Sequence, residues 1–541
     1  MRPDHRPTPL LVLLAALVLG AGLLVMFWPV LTNPIVADDR YWYPDAAGLT
    51  DGSYVGVVAY HLADLDRTAT TFGRVTVLAF IARSLTMLLV MDLAVWSGTP
   101  LVVGQALLKI VLLALIVATI VAFLRVLRHR GPDGSLRRLS WRTVATVTLL
   151  ATVLTGAGAQ AHGQFRNGWT SYAVLTWGAV LVLIGTVGLM LWLTGLVARR
   201  GNAAKVLAVT TAVLVGLFLN TSYELYYVAV PLVLVALLQQ PVLATDADPR
   251  GRRSRHARLW VGGAFLASFA VVFVGIRAWI ANLCADRSCY EGSQLDLGPQ
   301  TLVTATRNLL TAVPGGARTE VRADLREQGL ADQFPGWVTP GSVLLAVLIA
   351  VALVVLVRVT ESRDHEPQQR RAEARLLLVT AVVPGAAAVG TALVMGLSSL
   401  SHEIVVSVGS PYRSTMVTWT MIALTLAMVA TALQTARPRR PAPTLVAAAL
   451  VVVLCSQTLA LNYPALRASH IDPDNHQAVG AVHREIVLGD PSQQADERRC
   501  RTVKQLRSTI GSQFSRDRIL AAAESAFRHY HGGPYCSEAP P

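Results

Sequence analysis

Long apolar runs separated by short polar stretches set the rhythm of this chain. The runs fall near residues 9–32, 75–96, 101–126, 143–160, 173–198, 205–221, 225–240, 258–281, 341–358, 376–396, 414–433 and 443–461. About 20 apolar residues let a helix cross the hydrocarbon core of a bilayer. Only helices and closed barrels satisfy their own backbone groups there. The pattern therefore predicts an all-α polytopic membrane protein. The first run follows a basic start, "MRPDHRPTP", as a signal peptide would. It is too long for an ordinary apolar signal region and no A-x-A site follows promptly, so it is expected to be a retained first span. One run departs from the pattern. "VTVLAFIARSLTMLLVMDLAVW" (75–96) contains Arg83 and Asp92, follows Arg74 and ends in Trp96. A charged, amphipathic helix with a terminal tryptophan fits one lying along the membrane surface.

The charges between the runs orient them. "RVLRHRGPDGSLRR", "ARRGNAAK", "DPRGRRSRHAR", "RVTESRDHEPQQRRAEAR" and "ARPRR" are strongly basic, as cytoplasmic loops are. With 75–96 on the outer surface, eleven spans remain and every basic loop falls inside. The N-terminus is then cytoplasmic and the C-terminus extracytoplasmic. The expected organisation is a transmembrane domain over 1–461 and an extracytoplasmic region over 462–541. The domain includes a first outer loop with a surface helix (33–100) and a large outer loop (282–340). The outer region is small and is expected to need a disulfide or docking onto the outer loops.

Composition sharpens this picture. The 541 residues are 53% hydrophobic and 15% charged, with mean hydropathy +0.48, which excludes an ordinary soluble domain. The net charge of +14 is explained by the cytoplasmic loops, and no nucleic-acid partner is expected. Lys109, Lys205 and Lys504 are the only lysines. That bias, with abundant Ala, Val and Leu, points to a GC-rich bacterial genome and a multi-pass protein of the bacterial inner (plasma) membrane. No phosphate-binding loop appears and the cytoplasmic loops are short, which argues against a nucleotide-driven pump. Cys284 and Cys289 ("LCADRSCYEG") fall in an outer loop, and Cys500 and Cys536 in the outer tail. On an oxidising side these are expected to form two disulfides, Cys284–Cys289 and Cys500–Cys536. Their spacings and nearby histidines form no ligand set, and no metal is expected.

The ionisable residues near span ends gather on the outer side. Asp38, Asp39, Arg40 and Asp45 follow the first span, and Arg74 and Arg83 lie in or near the surface segment. His162 and Arg166 stand in "GAQAHGQFRNGW", Glu224 in "NTSYELYY", and Arg277 before the cysteine loop. His402 and Glu403 stand in "LSHEIVV", and Arg413 in "GSPYRSTM". Charged groups beside hydrocarbon are rare unless paired or lining a polar cavity. Acids and arginines together suit transfer of a sugar from a lipid-linked phosphate. Arginine clamps the phosphate as charge develops on the leaving group, and a carboxylate deprotonates the acceptor hydroxyl. The donor carries the energy, so no nucleotide site is needed.

Several features together resemble the GT-C superfamily of polyprenyl-phosphate-sugar-dependent glycosyltransferases. They are the acidic pair in "ADDRYWY" just outside the first span, a long outer loop with a surface helix after "FGR", many spans and an outer tail. The chain is most similar to bacterial GtrII-like and actinobacterial cell-wall members. The resemblance covers the architecture of roughly the first 230 residues. It implies an integral membrane glycosyltransferase whose base is a carboxylate of the first outer loop, here Asp38 or Asp39. Adjacent residues of an extended chain point in different directions, so one of the pair is expected to act, and the sequence does not rank them.

Arg413, with Arg74 or Arg83, is the expected clamp for the donor phosphate. Arg40, Glu224, Tyr223, His402 and Glu403 are candidates to touch substrate, and Trp42, Tyr43, Tyr226 and Tyr227 can stack on sugars or serve as an interfacial aromatic belt. The expected donor is a polyprenyl-phosphate sugar and the acceptor an extracytoplasmic or lipid-linked glycan. A lone base favours inversion at the anomeric carbon. The lipid bilayer is the expected environment, and no protein partner is indicated. Two other classes compete: a flippase for lipid-linked sugars, and a non-catalytic scaffold of cell-envelope assembly. A transporter places polar groups at the bilayer midplane, whereas here the charges crowd one face.

Overall fold

The computed structural model describes residues 8–130, 136–161, 167–198, 202–243, 249–284, 295–330, 332, 334, 338–360, 367–410, 413–437, 442–471, 476–509 and 513–537. The first apolar run forms α1 (Pro9–Leu31). Thr8 caps it by accepting from the Leu11 amide at 3.4 Å, and Pro9 occupies the first turn, where no amide partner is missed. The chain then reverses through Ala37, held at φ +54°, into the short α2 (Asp39–Gly48). Next come α3 (Tyr54–Ala63), α4 (Leu65–Phe72), α5 (Val77–Ser97) and α6 (Leu101–Val126). A small antiparallel hairpin, β1 (Arg128–Arg130) with β2 (Leu136–Arg138), pairs Arg128 with Arg138. The body continues with α7 (Trp141–Ala157), α8 (Ala173–Val197), α9 (Asn202–Asn220), a 3-10 turn at Glu224–Val228, α10 (Ala229–Leu243) and α11 (Pro249–Leu283). Then follow α12 (Pro299–Ala312), α13 (Arg318–Glu327), α14 (Pro340–Thr360), α15 (Pro367–Thr380), α16 (Val382–Gly396), α17 (Ser399–Ile404), α18 (Ser414–Ala436) and α19 (Ala442–Ile471). The tail holds α20 (His476–Leu488), α21 (Gln493–Thr509) and α22 (Gln513–His531).

Among the described residues, ten helices are long and apolar enough to cross a membrane: α1, α5, α6, α8, α9, α11, α14, α15 with α16, α18 and α19. The chain is thus an all-α polytopic membrane protein. Nine of these helices coincide with predicted spans. The predicted spans at 143–160 and 225–240 form shorter helices, α7 with 17 residues and α10 with 15. The tenth long helix is α5, the run expected to lie on the surface. Its 21 residues suffice for a crossing. Its packing differs from that of the bundle helices, however, because its buried Met87, Leu88, Met91 and Ala94 belong to a second core outside the bundle.

The main core runs through the helical bundle, where α1 packs on α14, α14 on α19, α7 on α18, α18 on α16, α6 on α8 and α9 on α11. At the far end of α6, Glu373 of α15 is buried 3.8 Å from His129 of the hairpin. It accepts from Thr143 Oγ1 at 2.6 Å and the Ser140 amide at 3.2 Å, pinning the hairpin and the start of α7 together. The second core interleaves Tyr41 and Tyr43 of α2 and Leu88 of α5 with Val482 and Phe527 of the tail. The tail thereby docks on the segment after α1. Arg518 lies 3.6 Å from Asp45 and over the Tyr41 ring at 4.3 Å, and Tyr530 donates to Asp92 at 2.7 Å. The backbones of α2 and α22 approach so closely that a Cβ on Gly48 would lie 2.4 Å from Ser525 Oγ.

Cys500 and Cys536 form a disulfide, with Cα atoms 5.0 Å apart, tying α21 to the chain after α22. The expected Cys284–Cys289 bridge involves Cys289, which lies outside the described residues. Cys455 is a buried free thiol in α19.

A bridge across 36 residues of sequence stabilises a fold by roughly 3–4 kcal/mol in the chain-entropy account. Reduction is expected to make residues 476–537 protease-sensitive while the bundle stays intact. Mass spectrometry of limited digests reads this directly; equal digestion with and without reductant contradicts it.

Candidate active site

Asp38 ends the turn after α1 as the N-cap of α2, and Asp39 opens that helix. The helical turn sends the two carboxylates into different surroundings. Asp39 is 1% exposed and accepts from the Tyr172 backbone amide at 2.9 Å through Oδ2, and its Oδ1 has no hydrogen-bond partner. Asp38 has a side chain 32% exposed, accepts from the Tyr172 hydroxyl at 3.0 Å, and has Arg413 Nη2 3.9 Å from its Oδ2. Tyr172 thus touches both acids, one with its backbone and one with its side chain. It does so at φ +56°, a conformation non-glycine residues rarely hold unless their surroundings enforce it.

Cations from three helices surround the pair. Arg413, the N-cap of α18, lies over the Tyr172 ring at 4.3 Å. Its backbone fits there because residue 168 is glycine: a Cβ would stand 2.4 Å from the Arg413 carbonyl oxygen. Arg83 of α5 is 8% exposed and sits over the Trp42 ring at 3.7 Å, within reach of both acids through its charge. Trp42 in turn meets Tyr172 edge to face at 5.4 Å.

The third cation is Lys109 of α6, fully buried. Its ammonium donates to Val30 O at 2.9 Å and Thr170 O at 3.0 Å. Val30 O is one of the carbonyls that the end of α1 leaves without an intrahelical partner. Lys109 therefore joins α1, α6 and the loop that delivers Tyr172, the elements that set Asp39 in place.

Burial pushes the Asp39 carboxyl up to about 7, with the neighbouring Asp38 charge adding to the rise; the Tyr172 amide, Lys109 and Arg83 pull against it. Behind the site, Arg40 Nε donates to Ala37 O at 2.8 Å, and His483 of the tail donates to Arg40 O at 2.8 Å. Burial lowers the His483 ring to about 4, leaving it neutral.

The other candidates lie apart from this turn. Arg74 lies 3.3 Å from Glu224, beside Tyr223 and Tyr226, which meet edge to face at 6.1 Å. Arg74 precedes α5 and does not share a helical face with Arg83, because α4 ends at Gly73 and the chain stays non-helical until Val77. Tyr227 meets Phe269 and Phe273 edge to face. His402 faces Asp296 at 3.3 Å and donates to Gly396 O at 2.7 Å, while Glu403 lies beside it in α17. These groups form two clusters separate from the Asp38–Asp39 turn. His162 and Arg166 lie outside the described residues. Among the described residues, no three His, Cys, Asp or Glu side chains gather to hold a metal ion.

Lys109 and Tyr172 are the site residues that sequence reasoning passed over. Lys109 carried a signal, a lone ammonium within "GQALLKIVLL", since an ionisable residue inside a span points to function by default. Tyr172 carried none, because its role rests on its φ angle. Comparison with protein-family models, curated proteins and solved structures finds no match.

Two expectations follow. Asp39 binds its proton more tightly in the fold, at about 7, than unfolded, near 3.8. Its ionisation therefore weakens the fold as pH rises through that window. Asp39→Asn keeps an acceptor for the Tyr172 amide and cannot ionise. Its melting temperature relative to wild type is expected to rise across the window; a constant difference contradicts the assignment. Lys109→Met strands the buried Val30 and Thr170 carbonyls and is expected to lower stability by roughly 1–3 kcal/mol for each. Denaturant titration in lipid nanodiscs measures this, and a loss below 1 kcal/mol would refute it.

Proposed function

We propose that this protein is a membrane glycosyltransferase that moves a sugar from a polyprenyl-phosphate donor to an acceptor hydroxyl. The observation that carries the reading is the convergence of two adjacent carboxylates with Arg413, Arg83 and Lys109 at one end of a helical bundle. Asp38 is the base: it reaches solvent, and the Tyr172 hydroxyl and the Arg413 guanidinium hold its carboxyl in place. The acceptor hydroxyl gives its proton to Asp38 as its oxygen attacks the anomeric carbon. The bond from that carbon to the phosphate oxygen breaks, and polyprenyl phosphate leaves with the electron pair. Arg413 meets the developing negative charge. A single displacement with one base inverts the anomeric centre. Asp39 is a positioning residue that fixes the start of α2 against Tyr172.

The sidedness proposed with this is that of the charges. The basic hairpin end faces the cytoplasm of a bacterial cell, and the Asp38 end and the tail face outward. The acceptor is then an extracytoplasmic or lipid-linked glycan. The helix α5, with its core shared by the tail, lies along the outer surface rather than crossing.

Asp38→Asn tests the reading, since a positioned base contributes about 10²–10⁴-fold. The variant is expected to insert and melt like wild type yet lose turnover by that factor. Turnover at the wild-type rate would remove Asp38 from the chemistry.

A further inference from the structure

The helix α12 is built inside out. Its buried face, packed on α16 and α18, carries Thr301, Thr304, Asn308 and Thr311, with Ala305 and Ala312 between them. Its exposed face is mainly apolar, with Leu302 at 64%, Val303 at 41% and Leu310 at 50% exposure beside Gln300 and Thr306. A helix on the surface of a water-soluble protein shows the opposite arrangement. Apolar residues outward and polar residues inward suit a helix with lipid behind it and a polar cleft in front.

The inner face is also short of partners. Thr304 Oγ1 and both amide atoms of Asn308 are buried without a hydrogen bond, as are Ser401 Oγ of α17 and Ser414 Oγ of α18. Asn308 is 1% exposed and Thr304 and Ser414 are fully buried. More than nine in ten buried polar groups in folded proteins are paired, and each one left alone costs about 1–3 kcal/mol. Several orphans along one seam mark a place where something else supplies the bonds. Their chemistry is neutral, a carboxamide and hydroxyls that both donate and accept, which matches sugar hydroxyls rather than ions. The neighbouring groups are already satisfied: Thr311 Oγ1 accepts from the Gly409 amide at 2.8 Å, and the Thr391 and Thr418 hydroxyls bond each other at 2.9 Å. Ser414 directly follows Arg413, whose guanidinium faces Asp38, and opens α18, the helix on which α12 packs.

We infer that the seam between α12 and α16–α18 binds the sugar head of a polyprenyl-phosphate donor, while the lipid chain passes along the apolar outer face of α12. The inference rests on the transferase reading for the identity of the lipid. It adds the residues that read the sugar, Asn308 and Thr304, and separates them from the phosphate clamp.

Equilibrium binding in nanodiscs tests it, with a polyprenyl-phosphate monosaccharide and bare polyprenyl phosphate as probes. Asn308→Leu and Thr304→Val are expected to bind the sugar-bearing lipid at least 10-fold more weakly and the bare lipid as wild type does. Their melting temperatures should not fall, because each removes an orphaned polar group. Should Asn308→Leu fail to fold, Thr304→Val, close in shape to the original, carries the test alone. Equal loss for both lipids, or no loss for either, overturns the seam, as would buried water being its only occupant. If wild type binds and turns over the donor while both variants match it, the seam falls and the transferase reading stands. If wild type binds neither lipid, both fall together.

Discussion

The architecture at the site end depends on placing one carboxylate, Asp39, where water cannot reach it. A buried acid is tolerated only when amides and cations stand in for solvent. Here the Tyr172 amide does so directly and Lys109 does so through its charge. Each of these compensations has its own requirement. Tyr172 must hold a left-handed backbone, and Lys109 must be buried in α6 with its ammonium bonded to the carbonyls of Val30 and Thr170. The end of α1, the first third of α6 and the loop before α8 are thereby locked at one point. The turn that presents Asp38 is built on that lock.

The two acids are chemically alike and are made different by position alone. Asp39 is enclosed and its proton is held more tightly than in water, while Asp38 reaches solvent beside a phenol and a guanidinium. Environments that divide a pair of carboxyls in this way commonly divide their roles. One serves as a fixed strut and the other as the reactive group in the proposed transfer. The docked tail strengthens the arrangement from the far side, because His483, Arg518 and Tyr530 all close on the segment that follows α1 or on α5.

Apolar run length made most spans legible, since crossing a bilayer is a one-dimensional requirement. The carboxylate pair, Arg413, Arg83 and the Cys500–Cys536 bridge were legible for a related reason: charge near hydrocarbon and paired cysteines are conspicuous in sequence. What stayed hidden depended on partners distant in the chain or on backbone angles. Lys109 is visible as a charge, but its meaning lies in the Thr170 carbonyl, 61 residues away. Arg74, expected with Arg83 among the clamp candidates, pairs instead with Glu224, because Gly73 and the residues after it keep it off α5. The reversed faces of α12 escaped a reading that sought long apolar runs, since a 14-residue helix with mixed polarity resembles an ordinary loop helix until its packing is known.

The chemistry proposed for the Asp38 end of this bundle is exchange of a sugar between a lipid phosphate and a hydroxyl. Its most direct test is to present the purified protein in nanodiscs with a set of polyprenyl-phosphate monosaccharides and a glycan acceptor, and to follow free polyprenyl phosphate. One donor is expected to release its lipid phosphate only when acceptor is present, with the sugar recovered on the acceptor in inverted configuration. A well-folded protein that releases lipid phosphate from none of them, or releases it without transferring the sugar, would contradict it.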